Sequence, residues 1–319
     1  MTDTLVPDLA ARPEVFPAEG FKANGMLSPE LRSQFRRIHD LRNALSVIAL
    51  WTFVVALVCV TVWTHRWWVA LLAFIVMGPV HVRFAILMHE AAHKLLFTKN
   101  SINDFVGKWI IAYPAFIPIT IYRRSHFAHH REEFGPEDPD VMFYGGYPCE
   151  PSRLRRRLLR DVVGISGWKN FVALLKANRT KAGRQIALPI LLVQIGLWAG
   201  SWIATGAWWV YPLLWWLPWM TQWRVLNRLR AIGEHGGMRK DVDRRATTHN
   251  VTQRPLARLW LVPYNTGWHL AHHVDMGIPW RNLPRYHEAL CQAGYVTDAI
   301  TYPTYRSLWR AAIRTVPAA

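Results

Sequence analysis

The sequence predicts an all-α integral-membrane protein with four transmembrane helices in two hairpins. Three observations carry that prediction. Hydrophobic residues make up 51% of the 319 positions and are bunched into long uncharged runs. The 38 Lys and Arg outnumber the 21 Asp and Glu, yet they are nearly absent from the two short connections between those runs. Nine of the 14 histidines fall into a pattern close to the ends of the runs.

Taken in chain order, residues 1–30 read as irregular. Residues 31–43 place Arg32, Arg36, Arg37 and Arg42 between apolar residues, the pattern of a basic amphipathic helix lying on a membrane. Residues 44–64 contain no charge and are long enough to cross a bilayer. His65-Arg66 forms a tight connection, and 67–88 returns. His81 and Arg83 in that second span must face protein or the interface. Residues 105–121 are apolar but interrupted by Lys108, Pro114 and Pro118. They read as re-entrant or interfacial, because a full crossing would put the following histidines on the wrong side. Residues 186–204 and 207–226 make the second hairpin around Thr205-Gly206. The basic residues concentrate in 31–43, 94–131, 153–184 and 224–258. By the positive-inside rule both termini and all long loops are cytoplasmic. Trp67, Trp68, Trp208, Trp209 and Trp219 fit an aromatic belt. The chain thus divides into an N-terminal segment (1–43) with an interfacial helix, a membrane domain (44–290) and a cytosolic C-terminal segment (291–319).

The net charge of +17 and pI near 10.4 fit nucleic acid, an anionic membrane surface or an acidic protein partner. The apolar runs favour the last two, so no nucleic-acid partner is expected. Cys59, Cys149 and Cys291 are too far apart for a disulfide framework, a zinc ribbon or an iron–sulfur cluster. The first thirty residues carry Asp3, Asp8, Glu14, Glu19 and several prolines, so no cleavable signal peptide is expected.

The chemistry lies in the histidines. His89 and His93 share one helix face. His126, His129 and His130 form an HxxHH cluster, and His269, His272 and His273 form another. His235 stands alone just past the fourth span. The topology puts all nine on one side, close to the membrane surface. One tetrahedral zinc needs about four ligands, so nine converging imidazoles suit two metals. Imidazole binds iron, zinc, copper and nickel. A pair of redox metals could activate dioxygen against an unactivated C–H bond, whereas zinc could not.

The segments MHEAAH (88–93), SHFAHH (125–130) and WHLAHH (268–273) resemble the three histidine boxes of the membrane fatty acid desaturase superfamily. The resemblance covers roughly residues 40–290 and extends to PWRNLPRYH (279–287). It implies a cytosolic helical cap holding two non-haem irons above a four-helix stem, with a substrate tunnel leading to it. It also implies that His235 completes the ligand set. The implied activity is O2-dependent desaturation of a lipid acyl chain; the alternative is hydroxylation of a lipid or other hydrocarbon chain. The implied location is a bacterial inner membrane. HEAAHK (89–94), EHGG (234–237) and TTHN (247–250) are similar to stretches of membrane alkane monooxygenases, but the second box of those proteins is more widely spaced. Arg230 to His235 is similar to an Arg-x-x-x-Glu-His pattern of bacterial lipid desaturases. The resemblance defines the metal site better than the reaction.

Competing readings are weaker. HEAAH also matches the HExxH of zinc proteases, with Glu90 as general base, but that site leaves both HxxHH clusters unexplained. Glu90 is expected instead to fix the orientation of a ring, as are Glu234 and Asp275. Arg230 either pairs with Glu234 or is a basic interfacial residue. A hydrogen-bonding role beside Asn250 is favoured for His249 over a tenth ligand. His39, His65, His81 and His287 fit no cluster and are expected to be structural. The acidic run Glu132, Glu133, Glu137, Asp138 and Asp140 either supplies carboxylates that orient the ligand rings or, as the default reading, is a solvated loop. A metal transporter or haem protein would place ligands at mid-bilayer, and these spans are nearly clean. Finally, nothing in the chain carries electrons: there is no cysteine cluster, no Rossmann-type glycine turn and no spare soluble domain. A separate ferredoxin or rubredoxin type donor with its reductase is expected. The run Arg153, Arg155, Arg156, Arg157 and Arg160 faces lipid headgroups or docks that donor.

Overall fold

A computed structural model of the protein describes residues 4–14 and 20–313. The outermost parts of the predicted N- and C-terminal segments, 1–3 and 314–319, and residues 15–19 lie outside them. The chain is mostly helical and divides into two compact units, one of residues 39–122 and 157–227, the other of residues up to 38, 123–156 and from 228 on.

Among the described residues of the first unit, three helices are long and apolar enough to cross a membrane. They are Asp40–Thr64, Trp67–Ala92 and Lys181–Thr205. Asp40–Thr64 and Trp67–Ala92 pack on each other. Their connection turns at His65, which takes a left-handed conformation at φ 49°. Lys181–Thr205 starts where the Thr180 hydroxyl accepts the Gly183 N–H at 3.1 Å. It ends at Gly206, whose φ of 69° a side chain would resist.

Two expectations need correction. The predicted 31–43 helix is two pieces. Pro29–Phe35 begins at Ser28, whose hydroxyl accepts the Leu31 N–H, and it stops at Arg36. A new helix starts at Asp40, an acid favoured in a first turn. The predicted 207–226 helix is segmented. A π-helical stretch Pro212–Trp216 runs into Leu217–Met220, the backbone breaks at Thr221, and Gln222–His235 follows. Pro212 and Pro218 lack the N–H that a regular helix needs, which accounts for the irregularity.

The 105–121 stretch turns rather than running straight. The helix Asn100–Phe105 passes into a π-helix Val106–Ala112, the chain turns through Phe116 at φ 60°, and Ile119–Arg131 begins. Carbonyls freed at this turn find donors nearby. The Gln194 amide donates to Tyr113 and Pro114 at 2.6 and 3.1 Å, the Trp215 indole to Pro114 at 2.9 Å, and the Trp51 indole to Ile110 at 3.0 Å. Irregular backbone inside an apolar unit requires such partners. His81 is buried and bonded at 2.9 Å to the Trp215 carbonyl, with its ring against the Trp215 indole.

The second unit is built around the helices His269–Val274 and Leu283–Gln292. Leu270, Val274, Leu283, Tyr286 and Leu290 bury their apolar faces together with Phe35. Two-residue parallel strands pair Asn250–Val251 with Thr301–Tyr302. Asp275 receives two hydrogen bonds from the Arg32 guanidinium, at 2.5 and 2.7 Å.

Candidate metal centre

Six of the nine histidines come from two short helical segments in the second unit. Ile119–Arg131 carries His126, His129 and His130, and His269–Val274 carries His269, His272 and His273. In both, the first and last histidines are four apart and share a face. In both, their Nε2 atoms stand 3.0 Å apart, His126 to His130 and His269 to His273. The middle histidine of each cluster turns to the other cluster's pair. His272 Nε2 lies 3.1 Å from His130 Nε2. His129 gathers with His273 and His235, their ligand atoms all within 4.8 Å of one another. His269 Nε2 is 3.1 Å from His235 Nε2. Two groups result: His126, His130 and His272, and beside them His129, His235, His269 and His273. All seven are buried.

The outer nitrogens explain why the inner ones converge. His273 Nδ1–H donates to Glu133 at 2.5 Å, His129 Nδ1–H to Asp138 at 3.1 Å, and His235 Nδ1–H to the Thr247 carbonyl at 2.9 Å. His269 Nδ1 is 3.6 Å from Glu234, which also pairs with Arg230 at 3.1 Å. An imidazole whose Nδ1 proton is committed outward presents a bare lone pair at Nε2. Lone pairs 3.0–3.1 Å apart repel unless a cation lies between them. Two nitrogens bound about 2.1 Å from one ion at a right angle would be separated by about 3 Å, so the spacing fits metal ligation. Burial pushes His235, His269 and His273 well below the usual imidazole range, which keeps them in the neutral, ligating form. For His129, burial is the largest influence and opposes the charge, but the hydrogen bond to Asp138 and the negative charges of Asp138, Asp140 and Glu133 together outweigh it and raise the ring's proton affinity.

The acidic run after the second cluster is not wholly a solvated loop, which corrects that expectation. Glu133 and Asp138 are buried, while Glu132 and Glu137 are not. Asp138 also accepts the Tyr144 hydroxyl and the Phe134 and Asp140 N–H groups. Glu133 is paired with Arg244, whose other nitrogen donates to the His130 carbonyl at 2.8 Å. Sequence reasoning weighed Glu133 and Asp138 for the site only as members of that run, and it did not single out Tyr144 or Arg244. The available signal was the run's position directly after SHFAHH.

His249 and the remaining candidates fall in different places. His249 Nε2–H donates to the Gly236 carbonyl at 2.8 Å, and its backbone N–H to the Glu234 carbonyl at 2.9 Å. It therefore braces the turn that follows His235. The neighbouring Asn250 amide donates to the Thr301 hydroxyl. Asp275 engages Arg32 rather than a ring. His89, Glu90 and His93 belong to the first unit. All three are buried, and the two rings are 4.7 Å apart at the end of Trp67–Ala92.

A mostly helical chain, with three apolar helices long enough to cross a membrane and grouped buried imidazoles able to hold metal, fits the membrane-type polyhistidine class. The sequence model of the family described as "Fatty acid desaturase" matches residues 65–305. The chain is also 30% identical to the dihydrorhizobitoxine desaturase of Bradyrhizobium elkanii over 254 residues, 74% of this chain and 72% of that one. The chain belongs to the fatty acid desaturase family.

Proposed function

We propose that the protein is an O2-dependent di-iron desaturase that introduces a double bond into a lipid acyl chain. The observation that carries the reading is the exchange of His129 and His272 between the two imidazole groups. Two separate groups of imidazole donors suit two metals, which the exchange would hold near one another. His89 and His93 add their imidazoles to the His126, His130 and His272 group, as the resemblance of the first box implies. Glu90 helps to orient them.

When bound, a pair of irons supplies the redox chemistry that dioxygen activation needs. The chain's own residues do the rest. Glu133, Asp138 and the Thr247 carbonyl hold the Nδ1 protons of His273, His129 and His235 outward, and Glu234 lies beside the Nδ1 of His269. Tyr144 and Arg244 hold those carboxylates in turn. Burial excludes water from the inward nitrogens. Forming one double bond removes two hydrogens from the chain. Reducing O2 to two waters takes those together with two further electrons and two protons. The electrons come from a separate ferredoxin or rubredoxin type donor with its reductase. The enzyme sits in a bacterial inner membrane, with a fourth span at 207–226 and with the termini and the metal site on the cytoplasmic side.

Hydroxylation is the second reading, because local similarity at 89–94, 234–237 and 247–250 points to alkane monooxygenases and both reactions begin by hydrogen abstraction. Mass spectrometry of lipids from cells with and without the protein separates them. Loss of two hydrogens is the expected change. Gain of one oxygen selects the hydroxylase, and unchanged lipids remove both.

A further inference from the structure

We propose that Arg224 is the anchor of a binding site for a compact oxyanion, a carboxylate or a phosphate, carried at the head of an apolar chain. This deepens the lipid-substrate reading and rests on it for the nature of the chain. The anion site itself rests on Arg224 and its surroundings, all within the first unit.

Arg224 lies on the helix Gln222–His235, at the end of the predicted fourth span. Its Nε and Nη2 are buried and donate no hydrogen bond to any described residue. A guanidinium stays charged at any pH a protein experiences, so it cannot shed a proton to relieve the burial. A buried charged donor without an acceptor is rare in natural structures and marks a missing partner. Asp161 is fully buried and its charge reaches Arg224. It lowers the electrostatic cost of the cation, yet it takes neither of the two empty N–H groups.

The surroundings are built rather than accidental. The Trp219 ring covers the guanidinium, with the central carbon 4.2 Å from the ring centroid. Trp219 stacks on Phe116 at 4.1 Å, and Phe171 meets Phe116 and Trp216 edge-on. Gly167 permits this packing, since a Cβ there would come within 2.2 Å of the Met220 carbonyl oxygen. The result is a planar cation with a closed aromatic face and two parallel donors left without an acceptor. Such a fork matches two oxygens of a carboxylate or phosphate. The aromatic floor suits the first methylenes of the attached chain, not a freely hydrated ion.

The test is equilibrium binding to the detergent-purified holoprotein of three probes: octadecanoic acid, its methyl ester and phosphatidylglycerol. Arg224→Gln should weaken one anionic probe by about tenfold or more, Arg224→Lys by less, and neither should change methyl ester binding. Dependence seen with the free acid names a carboxylate head; dependence seen only with phosphatidylglycerol names a phosphate. Equal binding of all probes by wild type and Arg224→Gln overturns the proposal. Should Arg224→Gln not be recovered folded, wild type decides. Binding of the methyl ester as tightly as both anionic probes overturns the site. Iron content and product formation are read on the same preparations. Arg224-dependent binding without double-bond formation removes the desaturase reading and leaves the site standing.

Discussion

Glu133 and His273 are 140 residues apart in the chain, and a Glu133 oxygen accepts the Nδ1 proton of His273 at 2.5 Å deep in the protein. Glu133 also pairs with Arg244, which reaches on to the His130 carbonyl. One carboxylate thus steadies a histidine of one imidazole group and, through Arg244, the backbone of the other. Removing such a support typically costs about 10–100-fold in metal affinity. Glu133→Ala should therefore lose metal to a chelator at a concentration that leaves the wild-type protein loaded. Retention curves that superimpose would remove Glu133 from the site.

The exchange of middle histidines predicts that single substitutions act on one ion at a time. His272→Ala opens the His126, His130 and His272 group, and His235→Ala opens the other. Each should retain roughly one of two ions and lose turnover altogether. His93→Ala should behave like His272→Ala. Full activity in any of the three, assayed with a reconstituted donor system, sinks the ligand assignment.

His249 gives the contrast. Its ring is tied to the Gly236 carbonyl beyond the metal groups, and burial holds its pKa near 4. His249→Ala deletes that bond and should cost about 1–3 kcal/mol of stability. Reduced activity with most of the metal kept is expected. Loss of a whole ion, measured by elemental analysis, would make His249 a ligand.

Topology is open to direct measurement. Reporter fusions after residue 66 or 206 should report the outside, and fusions after 140 or 290 the inside. An outside signal at 140 means that 105–121 crosses the bilayer and the metal site is split.

Electron supply leaves a salt signature. The helix Pro151–Val162 exposes Arg155, Arg156 and Arg160, a basic surface to which the proposed acidic donor would be attracted until salt screens it. The donor concentration needed for half-maximal rate should climb steeply with ionic strength. Neutralising three arginines between 153 and 160 should raise it without changing iron content. Indifference to both places the docking face elsewhere.

The sequence was most legible where one property ran unbroken. Absence of charge over 44–64 is enough to foresee a helix, but Asp40–Thr64 starts earlier because backbone hydrogen bonding does not stop where hydropathy stops. The same reason extends 67–88 to Ala92 and 186–204 back to Lys181. The segmentation at Pro212–Trp216 was hidden because apolar content is blind to missing N–H donors. At the site, the histidine clusters pointed to metal ligation through their number and helical spacing, and the fold brings seven of the nine into two groups that could hold metal. A residue advances about 100° around a helix, so the divergence of His129 from His126 and His130 follows from spacing alone. Its destination beside His235 and His273 does not, because that is a tertiary contact. Glu133 and Asp138 looked like solvent-facing charge for the same reason: their partners lie on other segments or fold back across the turn.

The central claim is that these imidazoles hold two irons. Elemental analysis of the purified chain, joined to its visible spectrum, tests it most directly. About two non-haem irons per chain, without a Soret band, are expected from two imidazole groups of this size. A single metal, zinc alone or a haem spectrum would contradict the account.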